Sequence, residues 1–341
     1  WRAIVRHEPV GTALCITPYN YPLSTTALQV APALAAGNAV ILKPASKTPI
    51  SAAILAEIIV DAAEDLPEGA FGFVPGRASE IGDVLAGDDR IDAIAMTGSS
   101  GAGKHVAGVS GMVELHMELG GNAPAIVFPD ADLEAASSAA ASGSLKYAGQ
   151  RCSAVSRVLV HEDAHDELVD RIDAEMEGFE PGDLFDEETS LGPLISHEQA
   201  EWVEELVEDA LDRGATLVRG GSRSGRFFEP TLLADVPQDA RIVHEEQFGP
   251  VVAVTTFDDE AGALEVANGG SLGLDAAVFT ADYDRAMRVA DRLEVGGVRI
   301  NGAPSHGLGD IPFGGTKDSG IGREGIGYTI EAFLERKSII L

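Results

Sequence analysis

The 341-residue sequence predicts an α/β protein built on two doubly wound, mostly parallel sheets. Three observations carry that expectation. Short apolar runs alternate with helical patterns from end to end, the order that gives parallel strands covered by helices on both faces. Glycine occurs 39 times, well above the usual ~7%, which suits many tight strand-to-helix turns. At roughly 100–200 residues per domain, the length suggests two domains rather than one.

Element by element, strands are expected over 10–17, 38–42, 70–74, 91–96, 113–117, 124–128, 157–161, 251–257, 275–279 and 297–301. Helices are expected over 24–36, 49–64, 78–86, 101–109, 132–147, 163–177, 197–213, 259–268 and 282–294. The helix near 199–213 shows the pattern: Val203, Leu206, Val207 and Ala210 form one stripe, with Glu204, Glu205, Glu208 and Asp212 off it. In the last helix, Ala286, Val289, Ala290 and Leu293 share a face. There is no repeat, low-complexity tract or long linker. The best domain boundary is the Gly120-Gly121-Asn122 turn, between strands of two successive sheets.

Charge excludes several partner classes. Asp and Glu total 55 against 24 Lys and Arg, a net charge of −31, and only six of the 24 are Lys. So acidic a surface repels nucleic acid and anionic membranes. The acids interleave with apolar residues at 45% hydrophobic content, so the chain is folded, not disordered. Few Lys and many Asp fit a salt-adapted cytoplasm, where ionic strength screens self-repulsion. Apolar runs such as 10–16 and 39–42 are far shorter than the about 20 residues a bilayer needs. No basic segment precedes an apolar run as in a secretory signal. The chain opens at Trp1 without a Met, which suggests a fragment.

Cys15 and Cys152 are the only two cysteines, which rules out a disulfide framework and points to a reducing compartment. Cys15 lies mid-run in an apolar strand and reads as a small buried hydrophobe. Cys152, in Gly149-Gln-Arg-Cys-Ser153, sits in a polar setting beside Arg151, with Lys146 one to two turns upstream if the helix continues. Cations lower a thiol pKa and make the thiolate nucleophile available; alone, a single Cys reads more often as structural.

Three further segments could carry chemistry. Gly98-Ser-Ser-Gly-Ala-Gly-Lys104-His105 matches a phosphate loop up to its final position, where a hydroxyl would hold magnesium and His105 cannot. It still follows a strand and opens a helix, so it suits a pyrophosphate without a metal better than a nucleoside triphosphate. The competing reading is a glycine-rich turn. Glu118 ends a strand before two glycines, placing a carboxylate at a crevice or simply in solvent. Asn20, in Pro18-Tyr-Asn-Tyr-Pro22, either donates to an oxyanion or stabilises a turn. His7, His105, His161, His165 and His197 occur singly, with no metal-ligand spacing. His116 alternates with Glu114 and Glu118, and His244 reads as surface. No metal is expected.

Together, in order, these segments resemble the NAD(P)-dependent aldehyde dehydrogenases. The matches are Pro18-Tyr-Asn-Tyr-Pro22, Lys43-Pro44-Ala45, Thr97-Gly98-Ser99, Glu118-Leu-Gly-Gly121, Gly149-Gln-Arg-Cys152, Glu245-Glu-Gln-Phe-Gly-Pro250 and Pro312-Phe-Gly-Gly315. They span nearly the whole chain, and the 34-residue spacing from Glu118 to Cys152 is also that of the family.

The resemblance implies a Rossmann-like cofactor domain over 1–119, incomplete at its N-terminus, a catalytic domain over 120–318, and a tail over 319–341 returning toward the first. It implies Cys152 as nucleophile, Asn20 with the Cys152 N–H as oxyanion hole, and Glu118 as the base that activates water. Lys43 would hold the adenosine ribose, Gly98 and Ser99 the pyrophosphate turn, and Glu246 with Phe248 the nicotinamide ribose. Ser46 and Lys47 stand where NAD-preferring members often carry an acid, so NADP is expected to serve at least as well as NAD.

Tyr147-Ala-Gly-Gln-Arg-Cys-Ser153, Asn20-Tyr21 and Asp318-Ser-Gly-Ile-Gly-Arg-Glu-Gly325 resemble the non-phosphorylating glyceraldehyde-3-phosphate dehydrogenase branch. Tyr21, Arg151 and His306 would then face the substrate, with lactaldehyde-like hydroxyaldehydes as alternatives. The complete protein is expected to form a homo-oligomer, a dimer or tetramer. Relative to the family the chain lacks an N-terminal region, from which lower activity and stability are expected. The alternatives are a fragment that only binds dinucleotide, a phosphate-loop nucleotidase, which His105 disfavours, and a CoA-acylating aldehyde dehydrogenase, which Glu118 disfavours.

Overall fold

The computed structural model describes residues 2–62, 66–305 and 311–341. Through residue 119 the elements run β1 (Ala3–Pro9), β2 (Thr12–Ile16), α1 (Pro22–Ala35), β3 (Ala39–Lys43), α2 (Pro49–Ala62), β4 (Phe71–Phe73), α3 (Ala78–Ala86), β5 (Ala93–Thr97), α4 (Ser100–Val109) and β6 (Glu114–Glu118). Next come β7 (Ala123–Val127), α5 (Leu133–Leu145), β8 (Val155–His161), α6 (His165–Met176), α7 (His197–Asp212), β9 (Thr216–Arg219), β10 (Arg223–Ser224), β11 (Phe227–Phe228), β12 (Thr231–Ala234) and α8 (Arg241–His244). The last third holds β13 (Val251–Phe257), α9 (Glu260–Asn268), β14 (Leu272–Gly273), β15 (Asp275–Phe279), α10 (Tyr283–Arg292), β16 (Gly297–Ile300), β17 (Thr316–Lys317), β18 (Gly320–Ile321), α11 (Ile326–Ala332) and β19 (Leu334–Ile340).

The chain divides into two compact units: Trp1–Leu119 with Gly307–Gly314 and Asp318–Leu341, and Gly120–His306 with Gly315–Lys317. The first is built on a six-stranded sheet of order β18-β6-β5-β2-β3-β4, parallel except for the edge strand β18. Leu14, Cys15, Leu42, Ile94 and Met117 fill its core at 0–1% exposure. The second is built on a seven-stranded sheet of order β16-β15-β7-β8-β13-β12-β9, parallel except for β9. Its strands β7 and β15 are buried along their whole length, which is why β7, and β15 after Asp275, read as apolar runs rather than alternating ones.

Side-chain caps set several helix starts: Ser99 for α4, Asp132 for α5, Ser196 for α7, Asp259 for α9 and Asp282 for α10 each accept a backbone N–H of the first turn. The stripe Val203, Leu206, Val207 and Ala210 is buried, with Glu205 and Glu208 exposed. The structure adds an isolated ribbon in which β1 pairs with β19 in antiparallel register, Ala3 opposite Ile340 through Pro9 opposite Leu334. The expected helix over 132–147 stops at Leu145. Lys146 therefore does not continue a helix toward Cys152, and it lies in solvent. Among the described residues no helix is long and apolar enough to cross a membrane.

Candidate active site

In the first unit, Asn20 ends the turn after β2 and is 9% exposed. Tyr21 follows in the left-handed region (φ 50°) at the start of α1, and is exposed. Lys43 closes β3 and is 4% exposed; its Nζ donates to the Pro44 carbonyl at 3.3 Å and has no carboxylate partner among the described residues. Burial lowers its pKa. A buried ammonium satisfied only by a carbonyl suits a ligand rich in hydroxyls or phosphates. Ser46 and Lys47 follow on the exposed turn.

The β5-to-α4 turn carries Gly98 and Ser99, and Ser99 caps the helix by accepting from Ala102 N at 3.3 Å. A Cβ at Gly101 would meet nothing within 4 Å, so the first turn of α4 stays open to an anion. Gly98 N donates to the Glu118 carbonyl at 3.1 Å, which ties this turn to the end of β6. Glu118 itself is 4% exposed, and a Cβ at Gly314 would stand 2.5 Å from its Oε1. That glycine (φ 153°) makes the room the carboxylate occupies.

His116, two residues back, is also buried; desolvation drops its pKa to about 4 and keeps it neutral. Glu324, a buried acid pushed up to about 7 by desolvation, was not singled out from the sequence. Only its position in an acid-bearing glycine segment could have pointed to it.

In the second unit, the thiol lies in a strained turn. Tyr147 (φ 62°), Ala148 (φ 54°) and Gly149 (φ 70°) adopt left-handed backbone in succession. For the two non-glycine residues this conformation costs about 1–2 kcal/mol each, a strain that persists where the surroundings over-determine the chain. Here those surroundings are Gln150 and Gly149. Gln150 Oε1 accepts from Ile195 N at 2.8 Å. Any Cβ at Gly149 would collide with the Gly249 carbonyl, so the Gly149-Gln-Arg-Cys152 and Glu245-to-Pro250 segments lie against each other.

The chain then turns at Arg151–Ala154, closed by Ala154 N donating to the Arg151 carbonyl at 3.1 Å. Cys152 and Arg151 are half-buried there, whereas Cys15 is fully buried with its thiol pushed up to about 12. Cys15 is thus the inert hydrophobe that its sequence setting implied. Gly121 packs beneath the thiol turn, and a Cβ on it would collide with the Cys152 carbonyl.

Glu246 is held by the same framework. Its Oε1 accepts from Gly121 N at 2.9 Å, its carbonyl accepts from Trp202 Nε1 at 3.0 Å, and desolvation raises its pKa to about 7. Phe248 is half-buried with φ 49°. His306 lies outside the described residues. His244 is exposed. Among the described residues no cluster of three His, Cys, Asp or Glu side chains could hold a metal.

Three buried residues of this unit are absent from the sequence-based candidates: Ser153 and Asp275 beside Cys152, and Arg157, 2% exposed. Arg157 and Asp275 carry no motif signal, because they read as ordinary strand residues.

A half-buried thiol in a strained turn and an open helix N-terminus after a parallel strand, on two doubly wound sheets, define an oxidoreductase of the α/β dinucleotide-dependent class. The profile of the Aldehyde dehydrogenase family matches residues 2–339, and the chain belongs to that family as an NAD(P)-dependent aldehyde oxidoreductase.

It is 40% identical over 338 residues to an NADP-dependent glyceraldehyde-3-phosphate dehydrogenase of Streptococcus equinus, covering 99% of this chain and 70% of that one. It is 39% identical over 338 residues to a lactaldehyde dehydrogenase of Methanocaldococcus jannaschii, covering 98% and 73%. Among solved structures, a glyceraldehyde-3-phosphate dehydrogenase of Methanocaldococcus jannaschii complexed with NADP superposes at TM-score 0.96, with 38% identity and coverage of 99% and 74%.

Proposed function

We propose that this chain oxidises a small hydroxyaldehyde or glyceraldehyde 3-phosphate to the acid, using NADP at least as well as NAD. The observation that carries the reading is the Cys152 sulfur, half-buried rather than packed away, in a turn strained at Tyr147 and Ala148 and seated on Gly121. In this reading the first unit is the cofactor domain and the second the catalytic domain.

The Cys152 thiolate adds to the aldehyde carbon, and the resulting oxyanion accepts hydrogen bonds from the Asn20 amide and the Cys152 N–H. Losing one such donor typically costs about 10²–10³ in rate. The dinucleotide, when bound, supplies the hydride acceptor. Departure of hydride from the thiohemiacetal carbon leaves a thioester on Cys152. Glu118 then takes a proton from water as it adds, the C–S bond breaks, and the acid leaves with the thiolate restored. A water-activating carboxylate favours hydrolysis over acyl transfer to another thiol.

Lys43, Gly98, Ser99, Glu246 and Phe248 would hold the dinucleotide, with Ser46 and Lys47 accommodating a 2′-phosphate that an acid would repel. Arg151, Tyr21 and His306 would face an anionic substrate group. The relatives named for glyceraldehyde 3-phosphate, lactaldehyde and 3-sulfolactaldehyde support a short, oxygen-rich aldehyde. Initial rates for aldehydes with and without phosphate, against both dinucleotides, test this. The expected outcome is kcat/KM with NADP equal to or above that with NAD; a large NAD preference would overturn the cofactor assignment.

In the same reading the protein is cytoplasmic and homo-oligomeric. The twice-exposed β1–β19 ribbon, with Ile4, Val5 and Ile340 in solvent, supports oligomerisation, because a lone two-stranded ribbon is marginal in water. The net charge of −31 supports salt adaptation. Stability and activity are expected to rise from dilute buffer toward molar salt as self-repulsion is screened. A thermal-melting series falling monotonically with salt would refute it.

A further inference from the structure

Residues 246–249 run between α8 and β13 outside any helix or strand, so the carbonyls of Glu246, Gln247 and Phe248 have no ladder to satisfy them. One face of α7 meets all four residues. Gln199, Trp202 and Val203 stand at i, i+3 and i+4 of that helix, the spacing that puts side chains on one face. Gln199 Nε2 donates to the Gln247 carbonyl at 2.9 Å and to the Phe248 carbonyl at 3.3 Å, and Trp202 Nε1 donates to the Glu246 carbonyl at 3.0 Å. Val203 packs against Gly249, where a Cβ would stand 2.5 Å from its Cγ2. The Gln247 side chain adds bonds to the Ser156 and Val251 carbonyls at 3.0 and 3.2 Å.

Trp202 is itself held firmly. Its ring packs against the buried core and carries the Arg241 guanidinium 5.1 Å from its centroid. Arg241 is fixed in turn to the Glu245 carboxylate by bonds of 2.8 and 3.3 Å. A phenyl ring could serve both contacts; the indole adds one thing, an N–H that can only donate. What that donor governs is Glu246. The Glu246 Oε1 accepts from Gly121 N at 2.9 Å, and its Oε2 has no partner among the described residues. With the carbonyl and Oε1 both tied, the residue is fixed at its two ends and Oε2 is presented in one direction.

We propose that Trp202 is a positioning residue for the dinucleotide: its N–H, by holding the Glu246 carbonyl, fixes the direction in which the Glu246 carboxylate meets the hydroxyls of the nicotinamide ribose. This rests on the reading that Glu246 takes that ribose. A carboxylate oxygen bonds a hydroxyl only within a narrow range of distance and angle. When the peptide at 246 is released, the carboxylate swings with it, and affinity falls in proportion to the fraction of arrangements that remain competent. Trp202 acts through Glu246 and makes no bond of its own to the dinucleotide.

The test is a double-mutant cycle on NADP affinity, read by isothermal titration calorimetry on the full chain with no aldehyde present. Trp202→Phe keeps an aromatic face for the core and for Arg241 and removes the donor. It is expected to raise the NADP Kd about fivefold, the size of one hydrogen bond. Glu246→Ala is expected to raise it at least roughly tenfold, as for a lost bond to a charged group. In the Glu246→Ala background, Trp202→Phe should change Kd by less than about twofold, since the carboxylate it positions is gone. Melting temperatures without dinucleotide separate folding from binding, because a tryptophan that only supports the fold would lower them and leave the coupling at zero.

An equal rise of Kd in both backgrounds, or none in either, would overturn the positioning role. If Trp202→Phe does not fold, Trp202→Met, which fills irregular space without a donor, enters the cycle in its place with the same outcomes. Weakened binding by Glu246→Ala with an uncoupled Trp202 removes this inference alone. Glu246→Ala binding NADP as the wild type does removes the ribose assignment, and the inference falls with it.

Discussion

Cys152→Ser is expected to lower aldehyde oxidation by at least roughly 10³-fold while leaving dinucleotide binding within a few-fold of wild type. A serine hydroxyl is a far weaker nucleophile than a thiolate at neutral pH. The substitution is close to isosteric, so the strained turn over Gly121 should survive. Cys15→Ala is the control. That thiol is fully buried in the first unit's core and pushed up to about 12, so its loss should leave kcat within a few-fold. Stopped-flow measurement of reduced dinucleotide formation reads both variants: a retained burst in Cys152→Ser, or its loss in Cys15→Ala, would move the nucleophile off position 152.

Arg157→Met is expected to cost about 3–5 kcal/mol of stability, because it strands several buried acceptors at once. The guanidinium donates to the carbonyls of Asn122 at 3.1 Å, Val243 at 3.0 Å, Val266 at 3.0 Å and Ala267 at 2.8 Å. Val266 and Ala267 lie in the last turn of α9 and Val243 in α8. One side chain on β8 therefore satisfies helix-terminal carbonyls and the Asn122 turn, which would otherwise be orphaned. Desolvation lowers the Arg157 pKa to about 10, so the group stays charged at neutral pH. Arg157→Lys should recover only part of the loss, since an ammonium cannot span carbonyls in the geometry of the planar fork. Chemical denaturation decides it; an unchanged midpoint for Arg157→Met would show that the carbonyls find other donors.

Arg157 and Cys152 mark opposite limits of what could be read in advance. Cys152 sits in a motif whose neighbours, Gly149 and Arg151, advertise a turn and a cation, so its importance is local and visible. Arg157 lies in Ser-Arg-Val-Leu-Val-His and reads as one polar residue of a strand; its four acceptors are 35 to 110 residues away. Asp275 is invisible for the same reason, since Gly297 meets it only after β15 and β16 assemble. The ribbon strands β1 and β19 escaped because neither has a buried face, so no apolar alternation marks them, and their pairing joins residues some 330 positions apart, as in the Lys337–Glu8 ion pair. His306 was named from its motif and falls outside the described residues.

Local chemistry determined the alternating elements, the inert setting of Cys15 and the two-sheet class, because periodicity and glycine turns act over a few residues. Only the tertiary structure decided that the helix before the thiol breaks at Leu145 into left-handed backbone, that Gly121 lies under Cys152, that a buried arginine binds four distant carbonyls, and that a buried aspartate lies beside the thiol turn. Those are consequences of desolvation and close approach between distant segments, and no short window of residues contains both partners.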